Sequence, residues 1–320
     1  MPDILDTLAS NLVVPTILFF VLGLLAAFAR SDLSIPGGAA KFMSLYLLLA
    51  IGFKGGNSLA QHGMGPDLFA AMAAGVALSF FGPFVAYGLL RTMTGLDRLN
   101  AAAVAGHYGS ISIVTYVTAT HLLSLMEIAQ SGAMVAVAAM MEVPAIISAL
   151  WLARRSAGPS LQQSGVMRDI LANGSIVLLA GAFVIGAVTG GRGMDMVAPF
   201  VVTPFTGILC LFLLDMGLSS GRSLMRNAHM LSVGLFAFGV IMPLTGATMA
   251  FGLGHIFGIT GGDLFLLMVL AGSASYIAVP AAMRVALPQA EAGIYLTLSL
   301  GVSFPFNVTI GLPLYLWAAL

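Results

Sequence analysis

Apolar residues along this chain come in long unbroken runs, set apart by short clusters of charge, Gly and Pro. The runs cover approximately 13–29, 38–53, 68–91, 98–120, 129–153, 170–189, 197–218, 229–254, 264–283 and 292–318. Their length, about 17–27 residues, is what an α-helix needs to cross ~30 Å of hydrocarbon. None has the ten-residue alternation of a membrane β-barrel strand. The pattern predicts an all-α integral membrane protein with about ten transmembrane helices. The first run follows Asp3 and Asp6 and lacks the basic flank and small-residue cleavage site of a signal peptide, so it is read as a span.

Composition agrees. The 320 residues are 59% hydrophobic and 8% charged, against roughly 25% charged in a soluble domain. The partner of such a chain is the lipid bilayer. A net charge of zero argues against nucleic acid. Cys210 is the single cysteine, which excludes an intrachain disulfide. The five histidines lie at no metal-ligand spacing, so no metal site is predicted beyond a transported ion, and no cofactor.

Charge orients the spans. With the amino terminus outside, Arg30, Lys41, Arg91, Arg98, Arg154, Arg155, Arg168, Arg222, Arg226 and Arg284 fall in or beside cytoplasmic loops. Only Lys54 and Arg192 fall on the other side. Retained positive charge sets topology, so this split supports ten spans with both termini outside and a cytoplasmic centre, as in a multi-pass protein of the cell inner membrane.

The longest loop, "RRSAGPSLQQSGVMRD" at 154–169, divides the chain into a first five-helix repeat (1–155), a short cytoplasmic linker (156–168) and a second repeat (169–320). "FVLG" at 20–23 returns as "FVIG" at 183–186, "IGFKGGNSL" at 51–59 as "MGLSSGRSL" at 216–224, and "TGLD" at 94–97 as "TGGD" at 260–263. The offsets stay between 163 and 166 positions. Five spans per half is an odd number, so the second half enters from the opposite side. Two inverted-topology repeats are expected, a transporter architecture.

"YGSISIVTYVTAT" at 108–120 and "LAGSASYIAVPAAMR" at 270–284 share a Gly-Ser-x-Ser grammar 163 positions apart. Non-helical backbone at membrane depth survives only where protein, water or ligand satisfies it. Breaks in helices 4 and 9 at these points would leave two half-helix N-termini facing each other near the midplane, with Ser110 and Ser273 as N-caps. Such a pair binds a small anion through backbone N–H groups and hydroxyls. Close helix packing by small residues is the alternative. The substrate-binding candidates are Gly109, Ser110, Ser112, Thr115, Gly272, Ser273, Ser275 and Tyr276. Pro280 removes one further helix hydrogen bond in the second stretch.

Glu142 in "MMEVPAI" and Asp215 in "LFLLDMG" lie deep in their runs, and His107 at intermediate depth. A central charge costs roughly 2.5–3.5 kcal/mol to insert, which makes each a functional candidate. A carboxylate there binds a cation, carries a proton, or sits protonated against a neighbouring helix. Ser303 and Asn307, beside Pro305, occupy the place in the second repeat that Glu142, beside Pro144, holds in the first. Glu142, Asp215, Ser303 and Asn307 are the cation-coupling candidates, with oxygen ligands suited to Na⁺. Lys54 reads as a snorkelling or gate residue. Importing a monovalent anion into an inside-negative cell opposes about 2.3 kcal/mol per 100 mV, which one cotransported Na⁺ cancels.

The "GSASYIAVPAAMR…ALPQAE" block, "HYGSISIVTYVTA" and "IGFKGGNSL" together resemble the sodium-dependent bicarbonate transporter family, the SbtA-like permeases. The resemblance implies Na⁺-coupled bicarbonate symport across the inner membrane, a homo-trimer, and an elevator-like movement of a core domain against a scaffold. It also implies the substrate role of the two Gly-Ser stretches. Relatives with a longer charged linker associate with a PII-like regulator; the linker here is short, so no such partner is expected. A transporter of another small carboxylate, coupled to Na⁺ or H⁺, and a passive anion channel are the rival readings. No G-x-S-x-G or H-E-x-x-H motif supports an enzyme.

Overall fold

The computed structural model describes residues 15–62, 65–157, 174–276, 279–280, 283, 287 and 289–320. Regular structure among them is entirely helical. The helices are α1 (Pro15–Phe28), α2 (Gly37–His62), α3 (Pro66–Met93), α4 (Arg98–Gly109), α5 (Ile113–Leu125), α6 (Ala133–Met140), α7 (Glu142–Ala157), α8 (Gly174–Val201), α9 (Phe205–Asn227), α10 (Val233–Ile256), α11 (Gly261–Ala271) and α12 (Ala292–Ala319).

Five stretches among the described residues are long and apolar enough to cross a membrane: Leu68–Met93, Met134–Ala153, Phe205–Arg226, Val233–Ile256 and Ala292–Ala319. The other runs seen in the sequence map onto helices that are shorter, such as α1 and α11, or more polar, such as α2 with Lys41, Lys54 and Asn57. Most of the linker 156–168 lies outside the described residues; its first two positions close α7. Several boundaries differ from the hydropathy pattern: α2 runs on to His62, so Lys54 lies within helix, and α9 spans Phe205–Asn227 where the pattern placed 197–218. α8 runs on to Val201, past a kink at Gly190, whose φ of 53° lies in the left-handed region that glycine enters without a Cβ clash. Arg192 therefore sits within helix instead of in a loop.

Two long helix pairs make the most extensive contacts between the described helices, α1 along α9 and α2 along α8. Glycine makes both contacts backbone to backbone, as small residues do where helices associate in lipid. A Cβ on Gly23 would overlap the Leu214 carbonyl, and one on Gly217 the Phe20 carbonyl; a Cβ on Gly186 would overlap the Phe53 carbonyl, and one on Gly56 the Phe183 carbonyl. Phe183 follows Phe20 by 163 positions, but Leu214 follows Phe53 by 161. Gly56 and Gly217 therefore make corresponding contacts in the two helix pairs.

Among the other helices, α3 packs against α4, α7 and α10, and α11 against α10 and α12, while α9 also packs on α12. Both α3 and α10 carry an internal proline, Pro83 and Pro243, and each proline leaves the carbonyl four residues earlier without its helix donor. The carbonyl freed by Pro243 is that of Gly239, and the Ser303 hydroxyl donates to it at 2.6 Å. On the other side, Gly109 packs on the Pro83 ring and the Ser79 carbonyl so closely that a Cβ would overlap both. The prolines bring the ends of α4 and α11 against α3 and α10, where the site lies.

Candidate functional site

α4 starts at an N-cap, Asp97, whose carboxylate accepts from the N–H groups of Leu99 (2.9 Å) and Asn100 (3.0 Å). It ends at Gly109, with Ser110 as C-cap in extended conformation, φ −91° and ψ 175°. Helix resumes at Ile113. The N-cap of α5 is Ser112, whose Oγ accepts from the Thr115 N–H (3.2 Å) and the Thr115 hydroxyl (2.9 Å). The expectation that Ser110 caps the second half-helix is therefore corrected. Ser110 closes α4 and turns its hydroxyl to Glu142, and Ser112, directly before the new helix, is the residue whose side chain reaches an N–H of its first turn.

α11 ends at Ala271, and residues 272–275 leave the helix. Ser273 does not cap a helix of its own among the described residues. Its Oγ donates back to the Leu270 carbonyl (2.9 Å) and accepts from the backbone N–H of Ser112 (2.9 Å). Ser275 accepts at Oγ from the Val279 N–H (3.4 Å), the role that Ser112 plays 163 positions earlier.

The two interruptions cross. Besides the Ser112–Ser273 bond, the Ser275 N–H donates to the His107 carbonyl (2.8 Å), and His107 Nδ1 lies 2.9 Å from the Ser275 carbonyl. A carbonyl only accepts, so Nδ1 carries a proton, and in the neutral imidazole Nε2 presents a lone pair. The ring stacks on Tyr295 with centroids 4.4 Å apart. Nε2 is buried without a hydrogen-bond partner among the described residues. The Tyr276 hydroxyl is also buried, near Ser112 but without hydrogen-bond geometry to any described group. Ser110, Ser112, Thr115, Ser273 and Ser275 are each at most 3% exposed. At the start of α5 the N–H groups of Ile113 and Val114 take no partner among the described residues. Unpaired donors at a buried helix N-terminus favour a negatively charged or electron-rich guest.

Of the cation-coupling candidates, three join this crossing and one does not. Glu142, at the first turn of α7, accepts from the Ser110 hydroxyl at 2.5 Å. Ser303 and Asn307 sit on α12, which runs as π-helix over Thr297–Ser303 and Asn307–Gly311, wide turns that often mark functional sites. Because the Ser303 hydroxyl donates to Gly239, the Tyr108 hydroxyl must donate to Ser303 (2.6 Å). Asn307 Nδ2 donates to the Gly272 carbonyl (2.8 Å) and its Oδ1 accepts from the Tyr315 hydroxyl (2.9 Å). Each interruption is thus tied to α12 by one of these two residues. Asp215 stands apart on α9, half-buried, within electrostatic reach of Arg222 and without a hydrogen bond to the crossing residues.

Sequence reasoning missed the ties made by Tyr108, Tyr315 and the His107 backbone. Tyr108 was legible as the residue before the first Gly-Ser pair; Tyr315 carries no signal in the sequence.

No curated protein matches the chain. A family model described as the Na⁺-dependent bicarbonate transporter superfamily matches residues 15–320, and its members are transporters, not enzymes. With apolar helices long enough to cross a bilayer and a family match over that length, the chain is a multi-pass membrane protein that belongs to the Na⁺-dependent bicarbonate transporter superfamily.

Proposed function

We propose that the protein imports bicarbonate together with Na⁺ by alternating access across the inner membrane, with the anion held where the two helix interruptions cross. The carrying observation is that crossing: two Gly-Ser turns from opposite halves of the chain, bonded to each other, beside unpaired N–H groups at the start of α5. Helix dipole and backbone donors supply positive potential there without a buried Lys or Arg, which suits a small oxyanion. Gly109, Ser110, Ser112, Thr115, Gly272, Ser273, Ser275 and Tyr276 form the substrate region.

Glu142 is the favoured residue for cation coupling. Its carboxylate touches the substrate turn through Ser110, so a Na⁺ held there balances the anion's charge and links occupancy of the two sites. The same carboxylate can carry a proton, which keeps H⁺ coupling as the second reading.

The reciprocal contacts of Gly23, Gly217, Gly56 and Gly186 support two inverted repeats; the distribution of basic residues supports ten crossings with both termini outside. The glycine contacts also suit an elevator, in which α1, α2, α8 and α9 form a scaffold and the body carrying the crossing moves against it. A homo-trimer joined through the scaffold completes this reading.

Uptake of labelled bicarbonate by proteoliposomes, with and without an inward Na⁺ gradient, tests the proposal. Saturable uptake that collapses when choline replaces Na⁺ is expected. Uptake indifferent to Na⁺ but driven by a pH gradient assigns proton coupling, and flux that never saturates points to a channel.

A further inference from the structure

Apart from the crossing, a cavity of about 430 Å³ opens between α2, α5, the 130–135 segment and the start of α9. Lys54, Ser58, Thr120, His121, Ser124 and Gln130 give it a polar wall, and among the described residues no carboxylate lines it. The Lys54 ammonium lies 4.1 Å from the centroid of the Phe205 ring, a cation–π contact that holds the charge at this wall. No ion pair joins Lys54 to a carboxylate among the described residues. His121 tilts against the same Phe205 ring, with centroids 6.3 Å apart. Ser131, which also lines the cavity, donates its N–H to the Asp263 carboxylate at 2.8 Å.

α5 connects this cavity to the crossing. Ser112 caps the helix at one end, and Tyr116, Thr120, His121 and Ser124 line the cavity along it. At about 1.5 Å per residue, Tyr116 is roughly 6 Å from Ser112 and Ser124 roughly 18 Å. Ser124 is exposed, so the cavity reaches from the surface to within one turn of the crossing. A single unneutralised cation in a low-dielectric recess raises the local concentration of anions.

We infer that this cavity is an anion vestibule, in which Lys54, seated on Phe205, gathers small anions before they reach the crossing. That the anion is the transported one rests on the function proposed above; the positive potential of the cavity does not.

The test therefore has two arms. In a Cys210→Ala background, Ser124→Cys places a thiol at the mouth, and its modification by anionic and cationic methanethiosulfonates reports local potential. Lys54→Gln and Lys54→Met should each lower the anionic-to-cationic rate ratio about five- to tenfold, and Lys54→Arg should preserve it. A ratio unmoved by both neutral variants overturns the vestibule. In the second arm, Lys54→Gln in the wild-type background should raise KM for bicarbonate several-fold at fixed Na⁺ with the maximal rate retained. A lowered labelling ratio with unchanged KM removes the cavity from the path and also overturns the inference. Should wild-type protein show no Na⁺-driven uptake at all, the proposed function fails, while the labelling arm still decides whether the cavity attracts anions.

Discussion

The backbone N–H of Ser112 donates to the Ser273 hydroxyl at 2.9 Å across 161 positions of sequence. Each helix interruption therefore helps to terminate the other. A helix end in a membrane must satisfy its backbone within protein or through a ligand, and these two ends do part of that for each other.

Removing the Ser273 hydroxyl leaves the Ser112 N–H short of a partner, while the Leu270 carbonyl keeps the Ser273 backbone N–H (3.4 Å). Ser273→Ala should destabilise the protein by about 1–3 kcal/mol, read as a lower unfolding midpoint in detergent. Ser110→Leu and Ser273→Leu should each abolish bicarbonate uptake while the protein still inserts. Normal transport by both would return the Gly-Ser turns to a packing role.

Glu142→Gln keeps the acceptor for Ser110 and removes the charge. The Na⁺ concentration for half-maximal uptake should rise at least about tenfold, equivalent to ~1.4 kcal/mol of lost cation affinity. Asp215→Asn, remote from the crossing, should change it far less. Equal shifts in the two variants would remove the special role of Glu142.

Gly56→Ala and Gly217→Ala occupy matching contacts, against the carbonyls of Phe183 and Phe20. Both should lower stability by similar amounts, about 1–3 kcal/mol, because each forces a backbone-to-backbone contact apart. Gly37, with nothing within 4 Å of an added Cβ, is the control, and Gly37→Ala should be close to neutral. Thermal unfolding of the three variants in one detergent checks the pattern.

Asp97→Ala removes the α4 N-cap and should cost about 0.5–2 kcal/mol with uptake largely retained. Burial works to raise the Asp97 pKa, but hydrogen bonds from Asn100 and Leu99 prevail and hold it below the ordinary aspartate value. The cap's contribution is therefore complete above the unfolded-state pKa and fades as pH falls through the lower folded-state value. The stability gap between wild type and Asp97→Ala should narrow in acid. A gap constant down to strongly acidic pH would mean that the carboxylate is not the cap.

Much of this protein was readable without coordinates, because the signals are local. Continuous apolar runs and scarce charge are each summed over a few turns, and they sufficed for an all-helical membrane chain. The Gly-Ser grammar singled out residues that lie together in the structure, since a small residue followed by a hydroxyl is itself a backbone-capping device. Which hydroxyl caps which N–H was beyond sequence: Ser110, Ser112, Ser273 and Ser275 are chemically alike, and bonds formed across some 160 positions assign them. The separation of Asp215 from Glu142 was hidden for the same reason. So was the seating of Lys54 on Phe205. Each depends on how helices distant in sequence approach one another, which backbone contact at a few glycines and prolines sets and hydropathy does not record.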